Sequence, residues 1–169
     1  MTSTHDPGQV AQHGAHEAAQ ALSRLLRVPV TTAAFSTLDP AALGAAHGGN
    51  VVVITFDTTG GVDGTLAVVF DDDVARRFAD RLTGGAADVG AIGPVALAAL
   101  AELGNIAASA FLNGVARLVK RTCLPSVPRV GHADASTVLA ASLPDVVMPV
   151  ATLQAGGDCF SLAFVPRVV

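Results

Sequence analysis

The stretch Ala98-Ala-Leu-Ala-Glu-Leu-Gly-Asn-Ile106 lies in the middle of a long segment with helical periodicity. At about 100° per residue, one narrow stripe collects the polar side chains of Glu102, Asn105, Ser109 and Asn113. The opposite side is apolar and consists of Leu97, Leu100, Leu103, Ala107, Phe111, Val115 and Leu118. Because residues three apart on a helix point the same way, we expect the carboxylate of Glu102 and the carboxamide of Asn105 to act on one bound group.

The composition predicts a well-packed globular domain. Hydrophobic residues make up 51% of the 169 residues and charged residues 14%, with a net charge of −4. The basic residues are scattered except for Arg117, Lys120 and Arg121 at the end of the long helix, where cations suit the helix dipole. This distribution predicts no nucleic-acid partner.

The chain is expected to be cytoplasmic. No basic region followed by an apolar run marks the N-terminus as a secretion signal. Glu102 and Asn105 lie in the middle of the apolar stretch from Pro94 to Leu112, which argues against membrane insertion. Cys123 and Cys159 are expected to be reduced thiols in the core.

An internal repeat organises the chain. An apolar run at Val51–Asp57, a Gly60-Gly61 turn and a second run at Thr65–Phe70 predict an antiparallel hairpin. The same pattern recurs at Val146–Leu153 with a turn at Gly156-Gly157. Leu66-Ala67 recurs there as Leu162-Ala163, at the same distance from the turn.

The full pattern predicts helix, strand, hairpin and helix, then helix, strand and hairpin. The expected fold class is therefore α+β, with an antiparallel or mixed sheet formed from both halves about a pseudo-two-fold axis and long helices packed on it. We expect one domain over residues 1–169, with repeats at about 8–84 and 93–168 and a glycine-rich hinge at about 84–93. Asp39 and Asp72 are expected to cap two further helices, and Pro149 suggests a sheet edge or a bulge.

The run Ala101-Glu-Leu-Gly-Asn-Ile106, the later Phe111-Leu-Asn113 and the segment Pro125-Ser-Val-Pro128 resemble the CheC/CheX/FliY family. Members of that family are phosphatases of the chemotaxis response regulator CheY. Their signature is Ser or an acidic residue, three residues, Glu, two residues, Asn, and a proline about one strand later. The resemblance extends over about residues 8–168, and the single-domain length is like that of CheC.

The resemblance implies that Glu102 and Asn105 are catalytic and that Pro128 belongs to the same site. Asn105 would orient the water that attacks the aspartyl phosphate, since an amide accepts from water and donates to a phosphoryl oxygen. Glu102 would bind a lysine of the regulator. Ala98 and Ser109 are expected auxiliary positions. No cofactor from this chain is implied, because any Mg²⁺ would belong to the regulator.

Two departures from the signature leave a second function open. Ala98 stands where the family has Ser or Asp, and the first-half equivalents of Glu102 and Asn105 are Gln9 and Gln12, with Phe35 in place of the proline. We therefore expect the first site to be degenerate. The alternative function is a non-catalytic adaptor that binds CheD, the receptor deamidase of the chemotaxis system.

A metal site is not expected on the first helix. His13 and His16 lie three residues apart, but no nearby carboxylate or thiol completes a ligand set. The sequence therefore predicts two surface histidines there.

Overall fold

The computed structural model describes residues 5–87 and 90–167, and within them seven strands form one antiparallel sheet. The helices and strands follow one another along the chain as α1 (Pro7–Leu26), β1 (Val30–Leu38), α2 (Pro40–His47), β2 (Asn50–Gly60), β3 (Gly64–Asp71), α3 (Asp72–Thr83), α4 (Pro94–Val119), β4 (Cys123–Pro125), β5 (Arg129–Asp134), α5 (Ala135–Ser142), β6 (Met148–Ala155) and β7 (Asp158–Pro166). The predicted α+β class is confirmed.

The sheet has the order β1-β6-β7-β3-β2-β4, and β5 also pairs with β2. The hairpins β2–β3 and β6–β7 meet at the centre through β3 and β7. The outer strands are exchanged, because β1 of the first half pairs with β6 and β5 of the second half pairs with β2. Each half therefore completes the sheet of the other.

The register at the centre has two-fold symmetry. Ala67 of β3 lies opposite Ala163 of β7, and these are the residues that correspond in the sequence repeat. An exact two-fold axis requires corresponding residues to face each other where it crosses an antiparallel pair. The pseudo-two-fold axis therefore passes between these two alanines.

The glycine turns correspond less exactly than the sequence suggests. Thr55 pairs with Ala67, and Val150 pairs with Ala163, so Thr55 and Val150 are counterparts in the two hairpins. Five residues further along each strand, the counterpart of Gly60 is therefore Ala155 and not Gly156. Residues 61–63 separate β2 from β3, whereas only Gly156 and Gly157 separate β6 from β7. The hairpins thus correspond, but their Gly-Gly pairs are displaced by one residue.

Helices cover both faces of the sheet. α1, α3 and α4 bury one face around Ile54, Phe70, Phe111 and Phe164, and α2 and α5 cover the other around Val53 and its neighbours. Burial on both faces explains why β2 is continuously apolar instead of alternating.

α4 is long and apolar enough to cross a membrane by length and composition alone. Ten of its residues are buried against the rest of the chain, which places it as a core helix that packs against α1, α3 and the sheet. This packing accounts for its composition.

Several local expectations are confirmed and several are wrong. Asp39 caps α2 by accepting from the backbone N–H of Ala42 at 2.7 Å. The cap of α3 is Asp71 instead of Asp72, and its side chain accepts no capping hydrogen bond. Cys159 is exposed near the β6–β7 turn, whereas Cys123 is buried as expected.

α5 is a helix that the sequence does not predict, because its eight residues include two serines and a threonine and show no clear apolar stripe. It is the second-half counterpart of α2, and the two helices contact each other.

Pro149 is not on an edge strand, because β6 lies between β1 and β7. It is tolerated because it pairs only with Thr37 of β1, while the pairing with β7 begins at Val150. The predicted hinge, residues 84–93, includes Asp88 and Val89, which lie outside the described residues, as does residue 168 at the predicted end of the second repeat. These boundaries stay predictions.

The contact between α1 and α4 gives a test of the fold. Gly14→Ala would place a Cβ atom 2.5 Å from the ring of Phe111, which is fully buried and packs against Phe164. An alanine normally stabilises a helix by about 1 kcal/mol relative to glycine. Here we expect a net loss of about 1–2 kcal/mol in the free energy of unfolding, measured in urea, because overpacking outweighs that gain.

Gly157→Ala is the control for this test, because a Cβ atom there meets nothing within 4 Å. Its effect should stay within about 0.5 kcal/mol. A Gly14→Ala variant more stable than the unmodified protein would contradict the close packing of α1 and α4.

Candidate functional site

Glu102 and Asn105 lie on the face of α4 that neither the sheet nor α1 covers. Glu102 is exposed and Asn105 is half-buried, while Leu103 and Gly104 between them are buried. A Cβ atom at Gly104 would lie 3.0 Å from Ile54 of β2. Gly104 therefore gives room for close approach to a strand, not to a neighbouring helix, and this approach fixes which side of α4 faces outward.

The two side chains line an open groove of about 560 Å³. Its floor is α4, and its other wall is the segment that joins β4 to β5. The lining residues are Ala98, Ala101, Glu102, Asn105, Pro125, Ser126, Val127 and Pro128. The structure thus brings together four of the residues singled out in the sequence, namely Ala98, Glu102, Asn105 and Pro128, whereas Ser109 is half-buried and lies outside the lining.

Within the described parts of the chain, Glu102 and Asn105 make no side-chain hydrogen bond or ion pair with another residue. A carboxylate and a carboxamide without internal partners keep their full hydrogen-bonding capacity for a ligand. The carboxamide can donate to an anionic oxygen and accept from water, whereas the carboxylate can only accept and attracts a cation.

The wall opposite α4 is anchored to β2 by two residues that the sequence did not reveal. The Ser126 hydroxyl accepts from the backbone N–H of Asp57 at 2.9 Å, and the Ser126 N–H donates to the Asp57 carbonyl at 2.8 Å. Arg129 donates to both carboxylate oxygens of Asp57, at 2.9 and 3.2 Å. These contacts hold Pro125–Pro128 beside Asn105.

The Arg129 pair also has an electrostatic signature. The hydrogen bond from the Arg129 guanidinium, helped by its charge, holds the pKa of Asp57 below its usual value of 3.8. The same hydrogen bond raises the pKa of Arg129. Both side chains are about half exposed, which limits what the pair contributes to stability.

Gln9 and Gln12 occupy the equivalent places on α1. The two long helices end in the same way, with Arg27 and Lys120 in the left-handed conformation, both at φ 56°. Gln12 and Asn105 each lie fifteen residues before that cap. Both glutamines are exposed in a smaller groove of about 380 Å³, lined also by His13, His16 and Leu118.

Phe35 is the first-half residue to compare with Pro128 of the groove wall. Phe35 pairs with Ala151 of β6, whose counterpart on β2 is Phe56. Thr55 pairs with Arg129, and continuing that register by one residue places Pro128 opposite Phe56. Phe35 does not line the Gln9–Gln12 groove. The first half thus lacks both the carboxylate and the proline wall, and an uncharged glutamine attracts a cation less strongly than a carboxylate does.

A second constellation, outside this groove, joins Asp71, His47 and Ser161. His47 Nδ1 lies 2.7 Å from Asp71 Oδ1, and its Nε2 lies 2.8 Å from Ser161 Oγ. The order of groups is that of a nucleophilic triad, but Ser161 is only 7% exposed on β7. The network instead fastens α2 to the sheet.

Within residues 5–87 and 90–167, no group of three or more His, Cys, Asp or Glu side chains is arranged to hold a metal ion. His16 on α1 instead contacts Gln20, with Nε2 of the two side chains 3.1 Å apart.

The site lies within the part of the chain that matches a known family. Residues 95–132 match the model of the CheC-like family. The resemblance to the CheC/CheX/FliY family is confirmed. A curated relative from Halobacterium salinarum, named putative CheY-P phosphatase CheC1, is 29% identical over 134 residues, which cover 77% of this chain and 69% of that protein.

Two solved structures share the CheC-like fold at low sequence identity. FliY of Thermotoga maritima superposes with a TM-score of 0.72 at 19% identity, covering 96% of this chain and 91% of that one. The chemotaxis protein CheX of Desulfovibrio desulfuricans gives a TM-score of 0.69 at 13% identity, with coverages of 94% and 99%. These likenesses establish the fold.

The Asp57–Arg129 anchor gives a pH-dependent prediction. Because the pKa of Asp57 is lowered in the folded protein, the pair stabilises the fold at pH values above the usual pKa of an aspartate. This stabilisation is lost as the pH falls through the lowered pKa. Asp57→Asn should therefore reduce the free energy of unfolding at pH 7 by no more than about 1 kcal/mol. The variant and the unmodified protein should have the same free energy of unfolding at pH values below the pKa of Asp57 in the folded protein. Urea titrations at several pH values measure this difference.

Asp145→Asn serves as the control, since Asp145 is exposed and forms no ion pair within the described residues. It should cost little at any pH. A difference for Asp57→Asn that grows on acidification would show that Asp57 is not held as a carboxylate by Arg129.

Proposed function

We propose that this chain is a phosphatase of a CheY-type response regulator and hydrolyses its aspartyl phosphate. The observation that carries the proposal is the open groove in which Glu102 and Asn105 have no internal partner and face Pro128. The curated relative is named a putative phosphatase of phosphorylated CheY, which supports the same reaction.

An open groove suits a phosphate that arrives on a protein. The phosphoryl group of the regulator would enter between α4 and Pro125–Pro128, with Asn105 at its centre. A deep pocket would exclude the regulator's own surface, whereas this groove leaves Glu102 exposed at its rim. We place the reaction, and the protein, in the cytoplasm with the regulator.

Asn105 would position the attacking water. Its carboxamide accepts from the water and donates to a phosphoryl oxygen, which keeps the water oxygen in line with the phosphorus. The new O–P bond forms as the bond between phosphorus and the aspartyl oxygen breaks, and the products are inorganic phosphate and the free carboxylate. No covalent intermediate on this chain is needed.

Glu102 would bind a cation of the regulator. A carboxylate is repelled by a phosphate, so it would contact a lysine ammonium beside it. Because both side chains project from one rigid helix, this contact would also orient Asn105. Any Mg²⁺ is assigned to the regulator, and none to this chain.

Asn105→Ala tests the catalytic role. The variant should lower the rate of dephosphorylation of the acetyl-phosphate-labelled regulator by roughly 10²-fold or more, the usual scale of one lost transition-state contact. Binding to the phosphorylated regulator should change much less, because the amide contacts the reacting group. Radiolabel release and titration binding measure the two effects separately.

Gln12→Ala is the matched control, at the same position of α1. It should leave the rate within about two-fold of the unmodified protein. Loss of activity in Gln12→Ala with none in Asn105→Ala would place the active site in the first half.

Glu102→Gln tests the docking role. The variant keeps the size of the side chain and removes its charge, so both affinity and turnover should fall, with affinity lower by about ten-fold. Asp73→Asn, a change at an exposed carboxylate on α3, should affect neither. Unchanged affinity and turnover in Glu102→Gln would remove Glu102 from the site.

The alternative is a non-catalytic adaptor that binds CheD. Ala98 in place of Ser or Asp and the glutamines of the first site favour it, because both weaken the family signature. If the unmodified protein binds CheD tightly but does not accelerate regulator dephosphorylation, the adaptor function is correct. Ala98→Ser would restore the family signature and is expected to raise activity only in a phosphatase.

A further inference from the structure

The outward stripe of α4 extends well beyond Glu102 and Asn105. Lys120, the cap residue of α4, lies eighteen residues after Glu102, which is five full turns, so its Cα atom lies on the same side of the helix axis as Glu102. At 1.5 Å per residue, they are about 27 Å apart. Asn113 and Ala116 lie between them on the same stripe.

The far end of this stripe is basic. Arg117, Lys120 and Arg121 line a second open groove of about 530 Å³ together with Asn113 and Leu124. Arg117 is paired with Glu17 of α1 at 2.6 Å, whereas Lys120 and Arg121 form no salt bridge with any residue of the described ranges. In a chain of net charge −4, three of ten Lys and Arg residues are thus gathered here.

Exposed apolar side chains border both grooves. Leu124 is 58% exposed and Val127 is 81% exposed, although both lie in or beside β4 at the edge of the sheet. Leu124 lines the basic groove and Val127 lines the Asn105 groove. Apolar residues framed by polar ones are typical of a protein interface.

We propose that the regulator docks along the whole of this stripe, with a group of its acidic side chains on Lys120 and Arg121 while its phosphate lies at Asn105. The proposal rests on the phosphatase function above and adds an orientation to it. The Glu102 carboxylate lies at one end of the stripe, and the cations Lys120 and Arg121 lie about 27 Å away at the other. The partner can therefore bind in one orientation only, because the reversed orientation would bring like charges together.

The dimensions and charges favour a folded protein as the occupant. A span of about 27 Å exceeds a small ligand, and it matches one side of a standard protein interface. An anionic lipid surface would suit Lys120 and Arg121 but would be repelled by Glu102 on the same stripe. The stripe therefore fits a partner with both a cation and acidic groups.

Lys120→Glu tests this orientation, and Arg27→Glu is its matched control. Arg27 caps α1 in the same left-handed conformation and undergoes the same change of charge on the opposite half. Lys120→Glu should weaken binding of the phosphorylated regulator about five- to ten-fold at low ionic strength, and less at 0.5 M salt. It should raise KM with kcat unchanged, and Arg27→Glu should change neither. Arg121→Glu should act like Lys120→Glu and guards against a folding defect at the cap.

Equal effects of Lys120→Glu and Arg27→Glu, or no effect of either, would overturn the docking orientation while leaving the phosphatase function intact. Binding to phosphatidylserine vesicles that is lost in Lys120→Glu, with regulator binding unchanged, would also overturn it in favour of a membrane. If the unmodified protein does not accelerate dephosphorylation, the phosphatase function fails, and the binding measurements still decide the orientation.

Discussion

The close approach of α4 to both the sheet and α1 is the constraint on which the site depends. Gly104 lets the helix lie against Ile54, and Gly14 lets the ring of Phe111 fill the space between the two long helices. With two sides of α4 covered, one stripe remains for solvent. Glu102 and Asn105 occupy that stripe, so packing alone determines the direction in which they point.

The exchange of outer strands between the two halves positions the second wall of the groove. β5 belongs to the second half but pairs with β2 of the first, and this pairing brings Pro125–Pro128 beside α4. Ser126 and Arg129 then fasten the segment to Asp57. All the lining residues of the groove therefore come from the second half, and β2 of the first half holds one of its walls in place.

Much of this fold could be predicted from the sequence, because the signals are local. The apolar stripe of α4, the Asp39 cap and the two glycine-containing hairpins each depend on residues close together in the chain. The repeat of Leu66-Ala67 as Leu162-Ala163 even anticipates the residues at the two-fold axis. α5 could not be predicted, because a short helix with Ser136, Thr137 and Ser142 carries no clear periodicity.

The remaining features depend on distant residues. The pairing of Asp57 with Arg129 spans 72 positions, and His47 contacts Ser161 across 114. The apolar strand around Cys159 predicts a core position, but the residue lies too close to the turn to be covered. The helix dipole is enough to explain basic residues at the end of α4, and only the three-dimensional groove with Leu124 suggests a binding surface.

The most direct measurement is a structure of this protein bound to the regulator, with the aspartate carrying a stable phosphate analogue such as beryllofluoride. We expect the Asn105 carboxamide to lie within about 3 Å of the analogue, with Gln9 and Gln12 left in solvent. A complex in which the analogue lies against α1, or far from α4, would contradict it.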